Sequence, residues 1–186
     1  MKPGEVYTKD RLVTKDSRER MQHGTKNFKM SAHFTRVRPS INLVLYYHWH
    51  DEMEIFIVNK GRVELKVGNQ SVELAEDEIA IIPPGIPHSA VRKTKGDIAF
   101  YAINVHLKFL ASQDNDLIQN EYILPVFMGW KKNLWVIKKD SQYHDPIDND
   151  VRSIIDFYQM EYTGYELMLK GNLCSIVSCI SYLLAS

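Results

Sequence analysis

Cysteine is nearly missing from this chain: Cys174 and Cys179 are the only two in 186 residues. Their spacing matches no metal-ligand pair, and both fall in an apolar helical pattern. They read as buried free thiols, which excludes a disulfide framework and suits a reducing, cytoplasmic setting. Net charge is also lacking, with 23 Lys plus Arg against 23 Asp plus Glu. A domain that grips DNA or acidic lipid by its own field would be basic, so neither partner is expected for these residues. No uninterrupted apolar run is long enough to span a bilayer. The opening stretch MKPGEVYTKDRLVTKDSRERMQHG is charged throughout and has no apolar segment of the signal-peptide kind. Repeats and low-complexity segments are absent too. What remains is a globular composition, 45% hydrophobic and 11% aromatic, long enough for one sizeable domain with a helical appendage.

Residues 1–27 read as a polar arm with apolar positions at Val6, Tyr7 and Leu12, equally consistent with a lid and with a frayed terminus. Residues 28–140 read as a β domain. Its short runs, MSAHFTRV, NLVLYYHWH, MEIFIVNKG, RVELKVGNQ, QSVELAE, EIAIIPPG, HSAVRK and DIAFYAINV, are rich in Val, Ile, Tyr and Phe. Gly61, Gly68-Asn69, Pro83-Pro84-Gly85 and Lys95-Gly96 punctuate them. Many short strands at this spacing predict a closed barrel or sandwich, with one further strand in LWVIKK. Residues 141–186 carry two amphipathic helices. The first is expected to start with Asp145 as N-cap and Pro146 at the first helical position. In the second, Leu169, Leu173, Ile176, Ile180 and Leu183 step by three or four, a heptad-like seam that predicts a homodimer interface. Leu167, Val177 and Leu184 widen that seam.

The chemistry gathers in HWHDEMEIFIVNKG. On a strand, residues two apart share a face, so Tyr46, His48 and His50 point together while Trp49 points away. Glu54 keeps the same parity, and the rigid turn PPGIPH delivers His88 to a new strand. Three imidazoles and one carboxylate, His48, His50, Glu54 and His88, suit one divalent cation such as Zn, Ni, Mn or Fe. The same side chains could instead hydrogen-bond a sugar or water directly. Tyr46 completes the candidate ligand pocket, with Arg36, Arg92 and Trp49 as flanking candidates: aromatic faces stack on sugar rings, while Arg, Glu and His bond hydroxyls.

HWHDEMEIFIVNKG resembles the first cupin motif, His-x-His, three residues, Glu, six residues, Gly. DEIAIIPPGIPH resembles the second, with Pro83, Gly85 and His88 in register. It departs at Asp77, where Gly is preferred, at Glu78 for Asp, and at Arg92, where Asn would close the motif. HGTKNFKM, FYAINVHLKFL, NEYILPVF and GYELMLKGNLCSIVSCISYLL, in that order around the cupin motifs, are similar to the effector-binding and dimerisation domain of AraC-type transcription regulators. That resemblance implies a mainly β fold, a jelly-roll cupin barrel followed by two C-terminal α-helices. It also implies a non-enzymatic function, sensing a small polar effector such as a sugar for an attached helix-turn-helix DNA-binding domain that is not seen in these residues. The alternative is a stand-alone metal-dependent cupin enzyme, an isomerase or dioxygenase, using the same four residues.

Overall fold

A computed structural model describes residues 12–128 and 134–185 of the protein. Val6, Tyr7 and the side chains of Leu183 and Leu184 lie outside the described residues. The strands are β1 (Met30–Val37), β2 (Leu43–His48), β3 (Met53–Lys60), β4 (Arg62–Val67), β5 (Gln70–Ala75), β6 (Ile79–Ile82), β7 (His88–Arg92), β8 (Ile98–Val105) and β9 (Trp135–Ile137). They form two antiparallel sheets, ordered β1-β8-β3-β6-β9 and β2-β7-β4-β5, packed face to face. β4 and β5 form a hairpin: Val63, Leu65 and Val67 point inward, Arg62, Glu64 and Lys66 outward, and β4 returns as β5 through Gly68 at φ 55°.

β3 breaks the alternation. Met53 through Val58 are all buried, so both faces of this strand are covered. Phe56 and Val58 face the second sheet, in an interior cluster with Val63, Leu65, Leu74 and Phe100. Met53, Ile55 and Ile57 face outward into a second cluster built with the helices. Those helices are α1 (Leu107–Leu110), a π-helical turn Gln119–Ile123 running into α2 (Leu124–Met128), α3 (His144–Met160) and α4 (Tyr165–Ala185). α3 begins at His144 and not after Asp145, so Pro146 is its third residue. The missing N–H costs nothing there either, because the first turn has no intrahelical acceptor to offer. Asp145 then sits within the positive end of the helix.

Asp77, where the motif prefers Gly, has φ 65°. Asp tolerates this left-handed conformation better than most side chains. The substitution also has a structural use. The Asp77 carboxylate takes Arg152 and Lys139 at 2.9 Å each, and His144 bonds its carbonyl at 2.9 Å, so the turn fastens α3 to the sandwich.

The seam on α4 requires a correction. Leu169, Leu173, Ile176 and Ile180 are 0% exposed and belong to the same cluster as Ile55, Ile81, Ile103, Ile147 and Ile154. They cover the outer face of the five-stranded sheet and the inner face of α3, and so are not available to a second copy. The cysteines also differ from expectation, since Cys174 is exposed and Cys179 half-buried. Replacing Ile176 with Ala should therefore cost about 2–5 kcal/mol of stability, as for other fully buried aliphatic residues. Ile176→Asp should leave little folded protein in a circular-dichroism melt. A folded I176D chain with an altered oligomeric state would contradict this assignment.

Candidate site at the barrel mouth

The sandwich interior is divided. Its apolar half is filled by side chains such as Phe56 and Phe100, stacked 4.7 Å apart. The other end carries a polar layer. In one sheet Ser31, Asn104 and Glu54 lie side by side on β1, β8 and β3. In the other, His48 on β2 is paired with His88 on β7. Register shifts between Leu43 and Leu45 and between Leu45 and His48 place extra residues on β2. Such bulges bend a strand and re-aim its side chains. His48, His50, Glu54 and His88 are 1–5% exposed, and each offers one ligand atom such that all four lie within 4.8 Å of one another.

The histidines are held in one orientation. Nδ1–H of His48 donates to the Tyr46 carbonyl at 2.8 Å, that of His88 to Ile86 at 2.8 Å, and that of His50 to Glu52 at 3.1 Å. This leaves all three Nε2 atoms for the shared space, the usual arrangement when a backbone acceptor fixes the tautomer of a metal-binding imidazole. His50 Nε2 is 3.1 Å and His88 Nε2 3.5 Å from the same oxygen of Glu54. Glu54 Oε1 and His88 Nε2 are buried without a hydrogen-bond partner. Lone pairs facing a carboxylate require a shared cation, either a proton or a metal. The donor set and its two orphaned atoms fit a borderline divalent ion.

Electrostatics agree with that geometry. Burial would raise the Glu54 carboxyl, but the His50 hydrogen bond and the close approach of the His50 and His88 imidazoles outweigh it and hold the group well below the usual carboxylate range. Burial would lower His88, yet Glu54 raises it. His48 is pushed down to about 4 by burial and by the neighbouring His88. Burial also lowers His33.

Two residues not expected at the site come from the arm. Residues 12–20 double back, with Val13 bridged to Glu19, and Arg18 bridges to Trp49 beside the histidines. Glu19 N–H donates to Trp49 O at 2.9 Å, and Trp49 N–H to Ser17 O at 3.1 Å. The Glu19 carboxylate accepts from the Tyr46 hydroxyl and lies 2.8 Å from His23 Nε2 and 3.7 Å from His48 Nε2. Gly24, at φ 82°, makes the turn into β1, where a Cβ would stand 2.3 Å from the Phe28 carbonyl. No strand or helix period marks RERMQHG, so local pattern offered no signal for Glu19 or His23.

The sandwich thus brings together Tyr46, His48, His50, Glu54 and His88. The three flanking candidates are placed elsewhere. Arg36 is exposed on the opposite face of β1, over the Phe34 ring. Arg92 lies at the far end of β7, bonding the carbonyls of Val37, Arg38, Ile41, Thr94 and Gly96, a structural clamp with few free donors. Trp49 points out of the cluster and donates from Nε1 to Asp16 O at 3.0 Å, so it anchors the arm. A separate cavity of about 620 Å³ lies between the Gly24 turn and the helices, lined by Phe28, Phe109, Tyr158, Tyr165 and Lys170 among others.

Residues 44–104 match the family described as the cupin domain, and the cupin-type β-sandwich followed by C-terminal helices is the fold observed. The uncharacterized HTH-type transcriptional regulator YdeC of Bacillus subtilis (strain 168) is 23% identical over 159 residues, 86% of this chain and 54% of that protein. Crystal structures of ToxT from Vibrio cholerae strain SCE256 share the fold. The unsaturated-fatty-acid-bound wild type has a TM-score of 0.58 at 18% identity, covering 88% of this chain and 57% of that one. An apo variant has 0.60 at 16%, covering 88% and 59%. The chain therefore spans about half the length of the relatives it matches, and it is similar to a transcriptional regulator that contains a helix-turn-helix. Among the described residues, no helix is long and apolar enough to cross a membrane.

The depressed His48 has a consequence for stability. The unfolded chain takes up this proton near pH 6.5, and the folded chain only near pH 4. Metal-free protein should lose stability as pH falls through that window, by up to about 3 kcal/mol from His48, with His33 adding in the same direction. His48→Gln should flatten the dependence in thermal melts between pH 7 and 4.5. Equal slopes in the two proteins would mean that His48 is already charged in the fold.

Proposed function

We propose that these residues form the effector-sensing portion of an AraC-type transcription regulator, without enzymatic activity of its own. The observation that carries this is the buried His/Glu/Tyr cluster at the barrel mouth, roofed by the chain's own arm, within a chain similar over most of its length to a transcriptional regulator. A small polar, oxygen-rich molecule such as a sugar would be recognised there by directional hydrogen bonds from Tyr46 and the histidines, or through a divalent cation held by His48, His50, Glu54 and His88. Bound at that set, a Zn, Ni, Mn or Fe ion would supply Lewis acidity and open coordination positions. DNA would be reached only through an attached helix-turn-helix domain. A homodimer would use the outward face of α4, where Leu167 and Tyr182 are 76% and 64% exposed, since the seam behind it is core.

The metal-dependent enzyme remains the second reading, favoured by the two orphaned buried atoms, Glu54 Oε1 and His88 Nε2. Against it stands the similarity of the chain to a transcriptional regulator. A third chemistry would use the aromatic cavity, lined by Lys170 but also by Glu161 and Glu166, as a place for an apolar molecule such as the unsaturated fatty acid bound to ToxT.

Thermal shift against sugars, small carboxylates and an unsaturated fatty acid separates these readings. A ligand at a hundred times its Kd should add about 2.7 kcal/mol, or roughly 5–10 °C for a chain of this size. Tyr46→Phe should weaken a ligand at the mouth and leave one in the aromatic cavity unaffected. Elemental analysis of protein prepared without chelator or nickel column should find close to one metal per chain. Less than about a tenth of a mole per mole would end the metal proposal.

A further inference from the structure

Glu19 and His23 are difficult to explain as decoration of a polar arm. Their side chains are 7% and 4% exposed, whereas Lys15, Arg18, Arg20 and Lys26 around them are exposed. Burying a carboxylate is costly unless it is paired with a cation or several donors. Glu19 has the Tyr46 hydroxyl, His23 at 2.8 Å and His48 at 3.7 Å. Burial would raise this carboxyl, and the bonds from His23 and Tyr46 keep it lowered, so it is held as the anion. The His23 ring lies 5.0 Å from that of His50, and one ligand atom from each of Glu19, His23 and His50 lies within 4.8 Å of the others. His50 therefore belongs to two ligand sets, one from the barrel alone and one that the arm completes.

We propose that Glu19 and His23 are ligands of the mouth, so that a divalent cation bound there fastens the arm to the barrel. The proposal rests on the metal reading above and adds a second ligand group, Glu19 and His23 of the arm, which shares His50 with the four barrel residues. Carboxylate oxygen and imidazole nitrogen are the donors that Zn, Mn, Fe and Ni accept alongside other histidines. Besides buried Val13 and the Arg18 guanidinium 5.3 Å over the Trp49 ring, polar contacts hold residues 12–22 down. The arm has its backbone pairing with Trp49, the Trp49–Asp16 bond and an Arg18–Asp51 ion pair half exposed to solvent, and exposed ion pairs contribute little. Cation binding and arm docking are then coupled. Whatever factor the arm adds to cation affinity, the cation adds to arm docking.

The test compares tryptic cleavage after Lys15, Arg18 and Arg20, read by mass spectrometry, in chelator-stripped protein with and without one equivalent of Co(II). A peptide substrate controls for any effect on trypsin. Co(II) should slow arm cleavage at least tenfold in the wild type. Glu19→Gln and His23→Gln, shown to be folded by circular dichroism, should lose most of that protection, bind Co(II) at least tenfold more weakly and show an altered visible Co(II) spectrum. A merely structural arm would leave the spectrum unchanged. Co(II) bound with wild-type affinity and spectrum in both variants, with cleavage indifferent to the metal, would overturn the arm's role and leave the barrel site standing. Wild-type protein that takes up no Co(II) would overturn both. Because the wild-type proteolysis needs no variant, a misfolded E19Q does not rescue the proposal.

Discussion

Glu54 is a carboxylate 2% exposed on a strand covered on both sides, and the barrel mouth is organised around that fact. An anion in such a place must be neutralised locally. The protein does so with the imidazoles of His50 and His88, with His48 beside them, and each of the three rings is fixed by a backbone carbonyl through its other nitrogen. The bulges on β2, the Pro-Gly turn before β7 and the pairing of His48 with His88 are what bring those rings to one carboxylate. A proton can satisfy part of the set. A divalent cation can satisfy all of it, including the two atoms otherwise left without partners.

The same strand explains the helices. An ordinary two-sheet sandwich exposes the outer face of each sheet, and its strands alternate. β3 instead shows the outer face of its sheet as apolar as the inner, with Ile55 and Ile57 in one cluster and Phe56 and Val58 in the other. Something has to cover the outer row. α3 and α4 do, pinned at one edge by Asp77 through Arg152, Lys139 and His144. The histidine–glutamate cluster and the helical unit therefore sit on opposite faces of one sheet, with Glu54 and Ile55 neighbours on one strand.

The arm contributes the remaining asymmetry. It is polar and in part exposed, yet it buries Val13 and places one carboxylate and one imidazole deep enough to join the cluster.

The sequence alone determined the strands and the two helices, because periods of two and of three to four residues are local properties. It also determined the candidate set Tyr46, His48, His50, Glu54 and His88, because same-face parity and a rigid turn constrain those side chains within short stretches. Only the tertiary structure decided which surface each apolar face would meet. A heptad-like stripe has the same form whether it packs on a sister chain or on its own sheet, and here Leu169, Leu173, Ile176 and Ile180 pack on the sheet. Arg36 and Arg92 could not be separated from a pocket by parity alone, since the face and the end of the strand they occupy depend on which sheet closes over which. Glu19 and His23 were invisible for a related reason: the barrel residues they meet, Tyr46, His48 and His50, lie about thirty residues away in sequence, and only chain reversal over Trp49 brings them together.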